Sequence, residues 1–347
     1  MPVSSRYVLQ QGPMLATLGK TAAWAVAQRI RPKRNGSSVH APSPEIVRSI
    51  APPAPELLDA FVRHLGGDPR AYRGIVPPHF FPHWALPLAG ATLAGISYPL
   101  LRILNAGCRM QVNAPLPRGE RLEVRAQLTN IDDDGKRALL IQRVITGTSS
   151  RPDALIAEIH ALVPLAREKS DGGPRKERPR VPSGAREVAF VHLSGDAGLS
   201  FAKLTGDFNP IHWIRPYAKA AGFRSVILHG FGTFARSVEA LNRGVFGGDV
   251  HRLRVLEARF TRPLVLPHDV GFYVREPPRS AGDRLSSEGS RPSGASLPEP
   301  PRSAGDRLSS EGSRPSGASF PERELFVGDA PLGPAYLTGH FETAGDA

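Results

Sequence analysis

Apolar and polar positions in the first half of the chain predict a buried helix followed by an antiparallel sheet. Residues 108–148 alternate in the manner of β-strands, with turns at 115–119 and 132–135, and residues 153–166 add one more strand. Residues 84–101 carry no charge, but prolines and glycines interrupt them. This composition predicts a helix buried on every side within a domain rather than a membrane span.

The same order of elements recurs in the second half. Strand-like alternation at 186–193 is followed by helical spacing at 195–206 and again at 229–242. Further strands are expected at 254–276 and 335–342. The two halves therefore predict two domains of one architecture, and 347 residues are enough for two such units.

Helix boundaries can be predicted where each half begins. Residues 43–67 carry apolar positions at helical spacing, broken by three prolines, which indicates a helical lead-in to the first domain. Ser194 precedes the first helix of the second half, so its hydroxyl oxygen is expected to cap that helix.

An internal repeat interrupts the second half. The sequence EPPRSAGDRLSSEGSRPSGAS occurs at 276–296 and again at 299–319, a period of 23 residues. Each copy holds a single leucine, so burial of apolar surface cannot offset the entropy of ordering it. We expect a disordered loop insertion, with a recognition tail as the alternative.

Composition shifts then predict the domain organisation. The predicted units are a basic N-terminal tail at 1–45, a first domain at 46–166, a linker at 167–185, and a second domain at 186–347 with the repeat insertion at 276–321.

Charge and cysteine content limit the classes of binding partner and the cellular compartment that the sequence favours. The net charge of +12 permits an anionic partner, but the basic residues lie in no nucleic-acid-binding motif, so no nucleic acid partner is expected. The stretches 29–34 and 167–180 indicate solvated linkers or contacts to the phosphates of a small carrier. Residues 14–34 are expected to dock on a surface or partner, with membrane contact as the alternative. The single Cys108 cannot form an internal disulfide, which favours a cytoplasmic location.

Acid–base chemistry is concentrated in the sequence LTGDFNPIHWI at 204–214. Asp207 and His212 lie five positions apart, and Pro210 between them biases Asn209 away from helix, so the segment forms a stiff bend. Such a bend can aim a carboxylate and an imidazole at one water molecule, as addition of water across a carbon–carbon double bond requires. A purely structural role is the alternative, because Asp favours turns and a lone His is more often structural.

A second part of this site is predicted where VILHGFGTFARS begins an amphipathic helix. His229 and Gly230 stand at its start, and a glycine N–H at a helix N-terminus is a good donor to a carbonyl oxygen that gains negative charge. Acid, base and oxyanion donor are thus available in one segment.

The sequences FAKLTGDFNPIHWIRPYAKAAGF and VILHGFGTFA together resemble the hydratase-2 motif of the MaoC-like (R)-specific enoyl-CoA hydratases. More diffusely, VPPHFFPHWALPLAGATLAG and the strands after it resemble the non-catalytic N-terminal half of double hot-dog members, so the likeness covers most of 45–342. The resemblance implies an α+β double hot-dog fold, in which each of two domains wraps an antiparallel sheet around a central helix. It also implies one active site per chain, because the first half has no equivalent of DFNPIH.

Residue roles follow from the same resemblance. Catalysis is implied for Asp207, His212 and Gly230. Motif support or substrate binding is implied for Asn209, which would order the loop, for His229, and for Ser237, the nearest candidate for a serine that steadies the aspartate. The implied reaction is reversible hydration of trans-2-enoyl thioesters to (R)-3-hydroxyacyl thioesters in fatty-acid metabolism.

The implied substrate is an acyl-CoA or an acyl carrier protein thioester, without a metal or redox cofactor, and a homodimer is an assembly that the resemblance allows. A hot-dog acyl-thioesterase and a non-catalytic acyl-thioester or lipid-binding protein are the alternatives. Within the uncharged segment, a run of small residues predicts room for the acyl chain in the first half: Ala89, Gly90, Ala91, Ala94 and Gly95.

Overall fold

The computed structural model of the chain describes residues 3–12, 40–100, 103–165, 177–276 and 322–344. The basic segment at the N-terminus, most of the basic linker and almost all of both repeat copies lie outside these ranges. The predictions made for them therefore stay predictions. Within the described ranges, none of the helices combines the length and the apolar composition needed to cross a membrane.

A large antiparallel sheet is the main feature of the described residues. In chain order its strands and those of a small second sheet are β1 Ile46–Ile50, β2 Ile75–Val76, β3 Leu104–Val112, β4 Leu116–Pro117, β5 Leu122–Asp133, β6 Arg137–Gly147, β7 Leu155–Pro164, β8 Arg186–Leu193, β9 Leu253–Phe260, β10 His268–Arg275, β11 Glu322–Gly328 and β12 Ala335–Thr343. Ten of them form the large sheet in the order β1-β5-β6-β7-β3-β9-β12-β11-β10-β8, and β2 pairs with β4.

Two five-stranded halves meet where β3 pairs with β9. In that antiparallel pair Cys108 lies opposite Ala258, and Met110 lies opposite Leu256. Side chains alternate between the two faces of each strand, as in β7, where every second residue from Leu155 onward is buried. The polar and apolar alternation in the sequence therefore marks the face of the sheet that covers the core.

Each half of the sheet covers one central helix. The helices are α1 Pro55–Leu65, α2 Pro82–Thr92, α3 Ala197–Thr205, α4 Arg215–Ala220 and α5 Gly230–Gly244. α2 packs against β5 and β6 of the first half, whereas α5 packs against β8 and β9 of the second. This arrangement confirms the α+β double hot-dog architecture that was predicted.

The prediction of one helix over 84–101, buried on every side, is wrong in two respects. α2 ends at Thr92, and Gly95 then takes a φ of +86°, a left-handed conformation through which an α-helix does not continue. Four small residues are exposed rather than buried: Gly90, Ala91, Ala94 and Gly95. One side of α2 is therefore open.

Three further elements differ from the sequence-based expectation. The segment 43–67 begins with strand β1, and only its second part, α1, is helical. Asp196 is the N-cap of α3, because Ser194 lies before the first turn and its hydroxyl donates to the Asp196 carboxylate instead. β11 was not predicted, because it lies directly after the repeat; it pairs with β10 as a hairpin, with Arg275 opposite Glu324.

The start of the predicted basic tail at 1–45 packs against the second half. A short 3₁₀-helix spans Ser5–Gln10, and Tyr7 on it is buried. Gln11 follows and is fully buried, with its side-chain amide on the last turn of α3. The apolar ring of Tyr7 and these hydrogen bonds explain why residues 3–12 are part of the fold.

Buried polar side chains join α5 to the first half. The Tyr72 hydroxyl donates to Glu239 Oε1 at 2.9 Å, and His79 Nε2 lies 3.1 Å from the same oxygen. Asn242, one turn further along α5, donates to the Tyr72 oxygen at 2.7 Å. Because an unpaired buried polar group is costly, these hydrogen bonds fix α5 against the first half.

Tyr72→Phe is therefore expected to lower the free energy of unfolding by about 1–3 kcal/mol, because Glu239 and Asn242 each lose a buried partner. Chemical denaturation measures the change. Tyr217→Phe, at an exposed tyrosine, is the matched control and should change the free energy by less than about 0.5 kcal/mol. A Tyr72→Phe variant as stable as the parent protein would contradict the assigned role.

Candidate active site

The backbone bend that carries Asp207 begins at the end of α3. Gly206 caps this helix with a φ of +85°, which favours glycine over any other residue. After the bend, a short 3₁₀-helix spans Pro210–His212. Asn209 precedes it, and its Oδ1 accepts a hydrogen bond from the Ile211 N–H at 3.3 Å. The stiff bend predicted from the sequence is thus confirmed.

Among the described residues, His212 uses one ring nitrogen in a hydrogen bond and keeps the other available. It is buried, and its Nδ1 lies 2.9 Å from the Ile227 carbonyl oxygen, so this nitrogen carries the proton that it donates. Burial lowers the pKa of His212, and the nearby Asp207 carboxylate offsets this only in part. At neutral pH the ring is therefore uncharged, with the Nε2 lone pair available as a base.

His229 lies directly on His212. The two rings stack with their centroids 3.5 Å apart and an interplanar angle of 24°. His229 Nε2 donates to the Asp207 backbone carbonyl at 2.9 Å, and burial lowers its pKa to about 3. Among the described residues its Nδ1 has no hydrogen-bond partner. His229 is therefore a neutral ring that supports both His212 and the backbone of the motif.

The Asp207 carboxylate is the part of this group that is open to solvent. Its side chain is 24% exposed, and Oδ2 lies 3.9 Å from His229 Nε2. Oδ1 accepts the Asn209 N–H at a long 3.4 Å. With no short hydrogen bond from these neighbours, the carboxylate is free to bind a water molecule or a substrate hydroxyl.

Gly230 begins α5 directly after His229. Its N–H occupies the first position of the helix, where a backbone donor has no acceptor within the helix. A Cβ at this position would lie 2.7 Å from the Phe260 ring, so any other residue would require that ring to shift. Sequence reasoning did not find Phe260, which comes from the end of β9 and reaches Gly230 only in the folded chain.

Ser237 does not contact Asp207. It is fully buried two turns along α5, and its Oγ donates to the Thr233 carbonyl at 3.0 Å. The expectation that Ser237 steadies Asp207 is therefore not supported: its hydroxyl satisfies the helix backbone. The structure brings the other candidates together at the end of α3 and the start of α5: Asp207, Asn209, His212, His229 and Gly230.

Asp207, His212 and His229 also present a set of donor atoms within 4.8 Å of one another. One ion would have to lie in the planes of both rings, at about 2.0–2.1 Å from each nitrogen. The stacked rings lie in nearly parallel planes instead. This geometry does not fit joint ligation of one metal ion by the two histidines.

The second half of the chain matches a known family. Residues 181–284 match the family described as the MaoC like domain. This match to residues 181–284, within a chain that has the double hot-dog fold, agrees with the resemblance noted in the motif.

Two relatives from Mycobacterium tuberculosis show how far the sequence likeness extends. The 3-hydroxyacyl-thioester dehydratase Y is 29% identical over 185 residues, which are 51% of this chain and 63% of that protein. The enoyl-CoA hydratase ChsH3 is 31% identical over 175 residues, which are 48% of this chain and 58% of that protein. The likeness thus spans less than two thirds of these relatives.

Solved structures resemble nearly the whole chain. HtdX of Mycobacterium tuberculosis superposes with a TM-score of 0.58 at 16% identity, covering 87% of this chain and 100% of that one. A MaoC-like dehydratase from Phytophthora capsici gives a TM-score of 0.63 at 17% identity, covering 90% of this chain and 98% of that one. At such low identity these likenesses establish the fold.

The buried imidazoles predict that acid destabilises the protein. Burial lowers the pKa of His64 and of His229 to about 3, and that of His83 to about 4, whereas a histidine in an unfolded chain has a pKa of about 6.5. As the pH falls below about 6.5, the unfolded chain therefore binds protons that the folded chain does not. The stabilisation is full above this pH and is lost towards about pH 3–4, at up to about 1.4 kcal/mol per pH unit for each group.

Urea unfolding at a series of pH values between about 7 and 4 measures this slope. His229→Phe should make the slope shallower, because the new ring can still stack on His212 but cannot bind a proton. An identical slope in the variant and the parent protein would contradict the buried, neutral state of His229.

Proposed function

We propose that the protein is a hydro-lyase that interconverts trans-2-enoyl thioesters and (R)-3-hydroxyacyl thioesters by adding or removing water. The observation that carries the proposal is the convergence of an open carboxylate, a neutral imidazole and a helix N-terminus at Asp207, His212 and Gly230. The names of two relatives, a 3-hydroxyacyl-thioester dehydratase and an enoyl-CoA hydratase, support the same reaction.

The Gly230 N–H would donate to the thioester carbonyl oxygen. When water adds at C3, negative charge develops on this oxygen in an enolate-like transition state. The N-terminal end of α5 carries a partial positive charge and would stabilise that oxygen more than it stabilises the neutral substrate. A donor of this kind typically contributes about 10²–10³-fold to the rate.

Asp207 and His212 would bind one water molecule and transfer its proton. The His212 Nδ1 proton is held by the Ile227 carbonyl, so only Nε2 can exchange a proton with the water. The hydroxyl of that water adds to C3, and its proton passes through the pair to C2, so the net change is addition of H and OH across the double bond. Asp207 would hold the water and stabilise the imidazolium formed on the way.

We further propose the division of labour predicted from the sequence. Residues 186–347 would form the catalytic domain and 46–166 the non-catalytic one, with 167–185 as linker. The position of the matched family, within the second half, supports this division. Either coenzyme A or acyl carrier protein would serve as the thioester carrier, and the proposed homodimer and the cytoplasmic location stay predictions.

Asp207→Asn and His212→Gln are each expected to lower the hydration rate by about 10²–10⁴-fold, the usual contribution of a positioned acid or base. Loss of the conjugated thioester absorbance measures the rate. Because both groups act on one water molecule, the double variant should be little worse than either single one. Asp68→Asn is the matched control, since Asp68 stands near the end of α1 as Asp207 stands after α3, and it should retain full activity.

Full activity in either single variant would refute the assignment of the pair. Release of free thiol from the substrate without formation of the 3-hydroxyacyl thioester would instead identify a thioesterase. Binding of the acyl thioester without turnover would favour the non-catalytic alternative.

We also propose that the open side of α2 receives the acyl chain. Ala91 is the tenth residue of α2, and the tenth residue of α5 is Glu239. Glu239 fills the space between the halves on its side, whereas Ala91 is small and exposed. Glu239 on α5 therefore closes the space beside that helix, whereas Ala91 on α2 leaves the corresponding space open. This difference supports a place for the acyl chain beside α2.

Ala91→Phe or Ala94→Phe should raise KM for long enoyl chains and leave a four-carbon substrate nearly unaffected, because each lost methylene contact is worth about 0.8 kcal/mol. Steady-state kinetics with substrates of graded length measures the effect. Ala89→Phe is the contrasting variant: Ala89 is buried, so the larger ring should cost about 1–3 kcal/mol in stability. Equal loss for short and long substrates in the Ala91 variant would rule out this path for the chain.

A further inference from the structure

The last turn of α3 is held by a side chain from outside the catalytic half. A helix leaves its final carbonyl groups without partners inside the helix. Gln11 Nε2 donates to the Lys203 carbonyl and to the Leu204 carbonyl, both at 3.2 Å. Because Gln11 is fully buried, these hydrogen bonds are shielded from water.

The next carbonyl of the same turn is held from α2. Burial lowers the pKa of His83 to about 4, and a hydrogen bond to the Thr205 backbone offsets part of this shift. Among the described residues its Nδ1 is buried and has no partner, so Nε2 is the nitrogen that donates. His83 also stacks on Phe80, with the ring centroids 4.8 Å apart and an angle of 21°. Phe80 is fully buried, so the stacking fixes the direction of this donor.

These hydrogen bonds matter for Asp207 because its carboxylate is held weakly. Its hydrogen bond from the Asn209 N–H is long, at 3.4 Å, and its Oδ2 lies 3.9 Å from His229 Nε2. The carboxylate position therefore depends on the backbone that leads to it. That backbone leaves α3 at Thr205, only two residues before Asp207.

We propose that Gln11 and His83 are positioning residues for the catalytic loop: by capping the C-terminus of α3 from outside the catalytic half, they set the place of Asp207. This inference rests on the proposed hydratase function and deepens it. It gives the first half a part in catalysis beyond holding the acyl chain. A misplacement of about 1 Å in a catalytic group can cost about 10²-fold in rate, so modest loosening of this turn has a large effect.

His83→Phe is the main test, because the new ring keeps the stacking on Phe80 and removes the donor. It also removes the unpaired Nδ1 acceptor, so the stability of the protein should change little. We expect kcat to fall about tenfold or more with KM nearly unchanged. His83→Gln should restore most of kcat, because its side-chain amide can reach the Thr205 carbonyl as Nε2 does, and the shorter His83→Asn should not.

Gln11→Met tests the second cap, because it keeps the length of the side chain and removes both hydrogen bonds to α3. It should also lower kcat more than it raises KM. His160→Phe, at a half-buried histidine on β7, is the control and should leave kcat as in the parent protein.

Amide hydrogen exchange gives a measurement that does not depend on activity. Residues 206–213 should exchange faster in His83→Phe and in Gln11→Met, but not in His83→Gln or His160→Phe. If the parent protein hydrates no enoyl thioester, the proposed function fails, and the exchange rates still show whether the loop is anchored. With an active parent protein, an unchanged kcat in both His83→Phe and Gln11→Met would overturn the proposal, and so would unchanged exchange of 206–213 or an equal loss in His83→Gln.

Discussion

The antiparallel pairing of β3 with β9 is the constraint on which the rest of the structure depends. It joins two five-stranded halves into one sheet, and the ring contacts of Phe81 with Phe231 and Phe234 then place the start of α2 against the first turns of α5. A Cβ at Gly107 on β3 would collide with the Ala258 carbonyl oxygen on β9, so glycine is required there. The close approach of β3 and β9 therefore determines which side chains of the first half contact the second half.

The two central helices use this contact in different ways. α5 directs Glu239 and Asn242 into the first half, where Tyr72 pairs with both, and the space on that side is filled. α2 presents small, exposed residues on its open side. The side chains on these helices therefore account for one filled interface and one open side.

Much of the fold and of the site could be predicted from the sequence, because it depends on short-range rules. Pro210 restricts its own backbone and that of Asn209, so the bend at the motif was predicted correctly. The errors concern contacts between distant segments. Ser237 lies on the correct helix, but its register turns the hydroxyl to the Thr233 carbonyl. The uncharged segment was predicted to be buried on every side, because an apolar composition does not show which side of a helix is exposed.

The sequence by itself determined most of the strands, the approximate positions of the central helices and the candidate residues for acid, base and oxyanion donor, because local propensity and spacing encode these. Only the tertiary structure decided their surroundings. The stacking of His229 on His212, the placing of Phe260 against Gly230, and the capping of α3 by His83 all join segments far apart in the chain. Such contacts depend on how elements pack within each half and between the halves, and no local pattern of residues specifies that packing.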